Sequence, residues 1–248
     1  MTAETLEGID EGRLLDVLAR TWPAAAEDDA AAPGWRIREG AGGGKRVSAA
    51  LSRGATDPAP LAEALRRHGR APLVMVPDSD APLDAALAAA GWEVVDPTVL
   101  YAGDAAALAA LPMAKGVRWA EVEARLVLLE EVWDAGGVGP ARRAVMDRAA
   151  EPKTVVMART DMAVAGLGFV AVDGEVAMLH AVEIRPEHRR RGGGRAVLAG
   201  AARFALRHGA RVLALAVTEV NAPARALYEN AGMSAVGGYR YRRAPDGP

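Results

Sequence analysis

Apolar and polar positions alternate with two periods along the chain, and the switches between them mark its elements. Leu14 to Trp22 recurs at helical spacing and stops at Pro23. Ala24 to Pro33 is small and acidic and reads as loop. Trp35-Arg36-Ile37-Arg38-Glu39 and Arg46-Val47-Ser48-Ala49-Ala50-Leu51 read as strands, and the glycines between them predict a hairpin. Pro60 to His68 predicts a helix closed by Gly69, Leu73 to Val76 a short buried strand, and Pro82 to Ala90 a helix closed by Gly91. Val94 to Tyr101 holds strand, interrupted by Pro97. Ala-rich Asp104 to Met113 reads as a linker or short connecting helix.

A second series follows. Val117 to Trp119 predicts a strand. Val122 to Trp133 predicts an amphipathic helix with Leu126, Leu129 and Val132/Trp133 on one side, broken by Gly136-Gly137. Pro140 opens a helix to Ala149, and Thr154–Arg159 and Ala165–Val172 form a hairpin turning at Thr160-Asp161. Val176 to Ile184 is a strand and Ala196 to Leu206 a helix. Val212 to Val217, Pro223 to Ala231 and Gly238 to Arg243 complete the series as strand, helix and strand.

Two pairs of segments repeat at an offset of about 140 residues, a scale that points to duplicated domains. Arg66-Arg67-His68-Gly69 parallels Leu206-Arg207-His208-Gly209, and Asp80-Ala81-Pro82 through Gly91 parallels Asn221-Ala222-Pro223 through Gly232. His68 and His208 each precede a glycine at a helix end and read as C-terminal capping residues. The copies differ where chemistry would sit: Leu87 stands where the second copy has Tyr228, and the first copy has no Arg-rich glycine loop.

That loop, Arg189-Arg190-Arg191-Gly192-Gly193-Gly194-Arg195, joins a strand to a helix N-terminus. Glycines let the backbone approach a ligand, and the helix start offers unpaired N–H groups and a positive dipole end. Four arginines beside that positive end conflict with it unless an anion, typically phosphate, binds between them. The other glycine run, Gly40 to Lys45, looks superficially like a P-loop. Arg46 follows Lys45 where Ser or Thr is needed, and no helical pattern begins there, so nucleotide binding is not expected at this point.

Composition narrows the picture further. With no cysteine among 248 residues, disulfides, thiol nucleophiles and Cys-ligated metal are excluded. A net charge of −2, and no aromatics interleaved near Arg189, argue against nucleic-acid binding. No apolar run approaches membrane-spanning length and the acidic N-terminus lacks a signal-peptide pattern, so a cytoplasmic protein is expected.

Residues 116 to 243 resemble the GNAT superfamily of acyl-CoA-dependent N-acetyltransferases. Arg189 to Gly194 matches the family's Q/R-x-x-G-x-G/A loop, with Gly193 in a usually apolar position. Asn221 to Met233 is similar to its N-x-x-A-x-x-L-Y-x-x-x-G-F segment. The resemblance implies an α/β fold (an α+β mixed sheet) in two tandem GNAT-like domains, each a mostly antiparallel twisted sheet flanked by helices. Residues 1–112 would be a degenerate copy without a cofactor loop, and 113–248 the catalytic domain. Acetyl-CoA would be the cofactor, and a small-molecule or protein amine the acceptor, attacking directly in a ternary complex.

The resemblance also implies roles. The loop amides from Arg190 to Arg195, with Arg189, would hold the CoA pyrophosphate, and the backbone of Val182 and Ile184 would pair with the pantetheine arm. Asn221 would cap its helix and touch the cofactor, and Tyr228, seven residues on and nearly on the same face, would protonate the departing thiolate. His180 and Glu183 are the candidate bases. Strand alternation puts them on opposite faces, with His180 sharing the face of Val182 and Ile184. His180 sits where arylalkylamine N-acetyltransferases carry a catalytic histidine, and imidazole titrates near neutrality. Acceptor-pocket segments are expected at about Trp133 to Val145 and Ser234 to Tyr239. A non-catalytic CoA-binding or interaction module is the alternative, and a solvated basic loop or core histidine the plainer reading of the same residues.

Overall fold

The fold was obtained as a computed structural model, which describes residues 6–122 and 127–245. The first half runs α1 (Glu11–Thr21), β1 (Ala26–Asp28), β2 (Trp35–Glu39), α2 (Lys45–Ser48), β3 (Leu51–Ser52), α3 (Ala59–Arg67), β4 (Leu73–Pro77), α4 (Ala81–Ala89), β5 (Glu93–Asp104) and α5 (Ala105–Ala109). The second runs β6 (Arg118–Val122), α6 (Val127–Ala135), α7 (Pro140–Arg148), β7 (Lys153–Arg159), β8 (Val164–Asp173), β9 (Val176–Ile184), α8 (Gly193–Arg207), β10 (Val212–Thr218), α9 (Ala222–Asn230) and β11 (Ser234–Arg243). Leu126, expected on the inner face of α6, lies outside the described residues.

Local chemistry explains most boundaries. Asp10, Asp80, Asp104 and Asn221 each accept a backbone N–H with the side chain and so cap α1, α4, α5 and α9. Gly69, Gly91, Gly209 and Gly232 take left-handed backbone angles just past α3, α4, α8 and α9. Five expectations change. The segment Ala24 to Pro33, expected as loop, contains β1, and Val122, expected to open a helix, is instead the last residue of β6, with α6 running Val127–Ala135. The Arg46–Leu51 strand is instead the short helix α2 followed by the two-residue β3. Pro97 does not interrupt β5, because the irregularity is absorbed at Asp96, whose φ is 46°. β11 starts at Ser234, four residues earlier than the alternation indicated.

Among the described residues, eight strands form one sheet in the order β4-β11-β5-β10-β9-β8-β7-β6. Only β9 and β10 pair in parallel. The repeat is visible as α3-β4-α4-β5 and α8-β10-α9-β11, with β5 and β11 the last strand of each copy. These last strands are exchanged: β11 pairs with β4 of the first half, and β5 with β10 of the second. They also pair with one another at the centre. Where each half was expected to hold its own sheet, the exchange joins β4 and β5 to the strands of the second half, and only β1-β2-β3 form a separate three-stranded sheet among the described residues.

Helices cover both faces. α1 packs Leu14, Val17 and Leu18 against Leu100, Met178 and Ala214, and α6 and α7 continue that layer with Leu129, Trp133, Val145 and Met146. α8 buries Ala196, Val197, Ala201 and Phe204 on the opposite face, and α3 and α4 pack Leu61, Leu65, Leu83 and Leu87 against Val74 and Val76 there. Arg13 of α1 pairs with Asp173 at 2.7 Å, and Arg242 of β11 pairs with Asp84 of α4 at 2.8 Å, so ion pairs also tie the halves.

Candidate active site

β9 passes through a single 3-10 turn, Pro186–His188, into the arginine-glycine loop and then α8. Arg190 and Gly192 adopt φ of 61° and 90°, which turns the chain sharply into the helix. A Cβ on Gly192 would lie 2.7 Å from the Cβ of Ala114, and one on Gly194 2.6 Å from Cδ2 of Leu227. The glycines thus allow the loop to lie against two neighbours. A Cβ on Gly193 would meet nothing closer than 3.5 Å. α8 has no side-chain cap and no acid in its first turn, so its first amides point outward unsatisfied. Arg190, Arg191 and Arg195 make no ion pair among the described residues. Arg189 instead donates to the Ile184 carbonyl at 3.1 Å and reaches Glu183 Oε1 at 3.5 Å.

Alongside this loop the sheet opens. β9 and β10 pair from Val176↔Val212 to Leu179↔Leu215 and no further. Beyond that point a cleft of about 450 Å³ separates Leu179–Glu183 from Leu215–Thr218. Asn221 and Tyr228 of α9 line it. Asn221 is exposed and accepts the Ala224 N–H at 3.2 Å. Tyr228 is 5% exposed, and burial pushes its phenol up to about 12. Its hydroxyl makes no hydrogen bond among the described residues. Val182 and Ile184 pack toward α8.

His180 and Glu183 lie on the other face, together. Ala181 takes φ of 49°, and the register steps from Phe169↔His180 to Leu167↔Glu183, so β9 uses one residue more than β8. This β-bulge shifts the alternation by one. His180 therefore does not share a face with Val182 and Ile184, and it does share one with Glu183, contrary to simple alternation. Trp133, fully buried in α6, donates its indole N–H to the Ala181 carbonyl at 3.0 Å and holds the bulge.

His180 is 2% exposed and stacks on Trp22, with ring centroids 5.0 Å apart. The Thr21 hydroxyl donates to the Val17 carbonyl at 2.7 Å and lies 2.9 Å from His180 Nε2. Thr21 has one proton and has used it, so Nε2 carries the imidazole proton and donates. Nδ1 is left as a buried lone pair without a partner. Burial, and then the nearby Arg46 guanidinium, hold the His180 pKa well below 6.5. Glu183 sits close against Gly136, where a Cβ would collide with it.

The wall beyond these residues comes from both halves. Trp22, Gly43, Gly44 and Arg46 of the first half line the cleft together with Val138, Arg142, Tyr239 and Tyr241 of the second. Lys45 is neutralised by Asp96 at 2.5 Å. The Gly40–Lys45 run thus packs on α7 as a cleft wall, with Gly42 leaving only 3.1 Å between a notional Cβ and Ala141. Sequence reasoning missed Trp22, Arg46 and Tyr241, and the run of glycines before Arg46 was the one signal pointing to this wall. His68 and His208 are at the C-caps of α3 and α8, and His188 is half-buried in the 3-10 turn. Among the described residues no group of His, Cys, Asp or Glu is arranged to hold a metal, and no helix is long and apolar enough to cross a membrane.

No curated protein matches the chain. Residues 122–233 match the model of the acetyltransferase (GNAT) family. Over nearly its whole length the chain is similar to a solved GCN5-related N-acetyltransferase from Kribbella flavida, at 18% identity, 96% of each chain and a TM-score of 0.72. A functionally unknown conserved protein from Staphylococcus epidermidis superposes with a TM-score of 0.68 at 13% identity, over 91% of this chain and 94% of that one. A tandem GNAT protein from the clavulanic acid biosynthesis pathway is similar over 98% of both chains, at 18% identity and a TM-score of 0.55. The chain has the GNAT acetyltransferase fold.

Proposed function

We propose that the chain is an acetyl-CoA-dependent N-acetyltransferase whose site lies in its second half, residues 113–248. One observation carries this reading: the split between β9 and β10 and the unbonded Tyr228 hydroxyl meet in one cleft, and β9, which walls that cleft, runs on through the arginine-glycine loop into the uncapped start of α8. The residues suit acetyl-CoA. The amides from Arg190 to Arg195 and the side chains of Arg189, Arg190, Arg191 and Arg195 would hold its pyrophosphate, with Gly192, Gly193 and Gly194 permitting close approach. Val182 and Ile184 present backbone along the split strand, and Asn221 stands at the cleft edge.

Bound acetyl-CoA supplies the thioester acetyl group. The acceptor amine enters from the Trp22–Arg142 side and attacks directly, in a ternary complex. Glu183 takes its proton, because it is the carboxylate on the cleft face beside the entry. His180 is held neutral by burial and so is a weak base, and its ring, stacked on Trp22, shapes the cleft floor beside Glu183. Tyr228 keeps its proton to high pH and donates it to the leaving sulfur. The first half, residues 1–112, is in this reading a degenerate copy. Its α4 keeps the cap at Asp80 but has Leu87 in place of Tyr228.

Calorimetric titration with acetyl-CoA, followed by a turnover screen over small-molecule and protein amines, tests the proposal. One-site binding abolished by Arg191→Glu/Arg195→Glu, with turnover in the screen, is expected. Binding without turnover of any amine would favour a CoA-binding module, and absence of binding would refute both.

A further inference from the structure

The exchange of strands leaves the first half with a cleft of its own. Ala50, just ahead of β3, bridges Val74 of β4 in parallel, and then the two segments diverge, as β9 and β10 do. A cavity of about 240 Å³ fills the gap. Met75, Pro77 and Asp80 line it at the positions that Ala216, Thr218 and Asn221 hold in the main cleft. It is therefore the counterpart of the cofactor cleft, but the Arg53–Pro58 segment before α3 offers no glycine-rich cradle for a pyrophosphate.

Its charges are unbalanced toward the inside. Arg38 is 4% exposed; its Nε donates to the Ala49 carbonyl at 2.6 Å, and its Nη2 is buried with no partner. Arg46, which lines this cavity too, donates to the Tyr239 hydroxyl at 3.3 Å and pairs with no described carboxylate. The acids present are committed or outside: Glu27 pairs with Arg36 at 3.0 Å, Asp80 caps α4, and Asp16 is exposed. A buried guanidinium with a free N–H is costly unless an anion meets it. Around it stand apolar groups, Leu18, Met75 and Leu83.

We propose that this first-half cleft is a second ligand site, for a small carboxylate with a short branched apolar body, its carboxylate held by Arg38 and Arg46. The guanidiniums offer the donors a carboxylate needs, and the leucines and methionine take the hydrocarbon. The volume suits a small metabolite rather than a CoA ester. Because Trp22 and Arg46 line both clefts, a ligand here touches the same two side chains that wall the acceptor entry.

The test is calorimetric titration of the full chain with C3 to C6 monocarboxylates, straight and branched, and with 4-methylpentanamide as the uncharged twin of 4-methylpentanoate. Saturable one-site binding of the branched acids is expected, undiminished when acetyl-CoA is present. The amide and the Arg38→Met variant should each bind about 10–100-fold more weakly, the range for hydrogen bonds to a charged group. Arg53→Glu, at an exposed position lining the same cavity, should weaken binding in the same direction without a folding defect. Arg142→Ala, which lines the main cleft and not this cavity, should leave it unchanged. If no acid of the series saturates the protein, the proposal fails. It also fails if Arg142→Ala abolishes binding while Arg53→Glu and Arg38→Met retain it, since the carboxylate would then lie in the main cleft.

Discussion

Burial of His180 makes the stability of this protein fall in mild acid. The folded chain holds the imidazole neutral, with its pKa well below 6.5, while the unfolded chain releases it to water. Above pH 6.5 neither state binds the proton and there is no effect. As pH falls below that value the unfolded state gains a proton that the folded state refuses, so stability is lost. The limiting slope for one proton is about 1.4 kcal/mol per pH unit, and at pH 5.5 the accumulated loss approaches about 1.4 kcal/mol. The perturbation that isolates it is His180→Gln, which does not titrate and keeps an N–H donor for Thr21. Urea unfolding of both proteins from pH 7.5 to 5.5 gives the difference directly, since His68, His188 and His208 are common to both. The free-energy gap between the two should narrow by that amount as pH falls. Parallel curves over the whole range would refute the assignment of a neutral, buried His180.

The adjacent loop glycines should respond oppositely to alanine. Gly192→Ala meets the left-handed backbone penalty of about 1–2 kcal/mol and the 2.7 Å approach to Ala114, so both denaturation midpoint and acetyl-CoA affinity should drop. Gly193→Ala fits its space and should raise stability by about 0.4–1 kcal/mol in the same denaturation assay. Tyr228→Phe should leave the thermal midpoint nearly unchanged, because the hydroxyl bonds nothing among the described residues, while turnover drops about 10²–10⁴-fold at unchanged acetyl-CoA affinity. Residues 1–112 and 113–248 expressed apart should each fail to give a cooperative unfolding transition, and co-expression should restore one. A cooperative melt from either half alone would contradict the exchanged sheet.

The second-half elements were legible because their signals are local. The glycines before α8, the Asn221 cap and the Leu227-Tyr228 pair sit within single turns of chain. The repeat was legible too, through the matched helix ends at Gly69 and Gly209. Three features were not. The bulge at Ala181 rests on one left-handed alanine, a residue type with no preference for that conformation, yet it decides which face His180 occupies. α2 is four residues long, too short for a period to emerge from Lys45-Arg46-Val47-Ser48. The strand exchange pairs Val76 with Arg240 and Thr98 with Thr218, and such distant partners leave no mark on either segment. The cleft wall that Trp22, Arg46 and Tyr239 line draws on α2 and on the exchanged strand β11, and so was hidden with them.

The position of β11 sets an order of events during synthesis. β4 and β5 emerge from the ribosome early, but the strand that belongs between them is made about 140 residues later. At roughly 5–20 residues per second, the nascent chain spends on the order of ten to thirty seconds with those two edges open. Val74, Met75 and Val76 on one side and Val99, Leu100 and Tyr101 on the other then present unpaired apolar backbone, a template for pairing with other chains. Slower translation upstream of Ser234, or a shortage of holding chaperones, should therefore lower soluble yield, even though every contact in the finished sheet is unchanged.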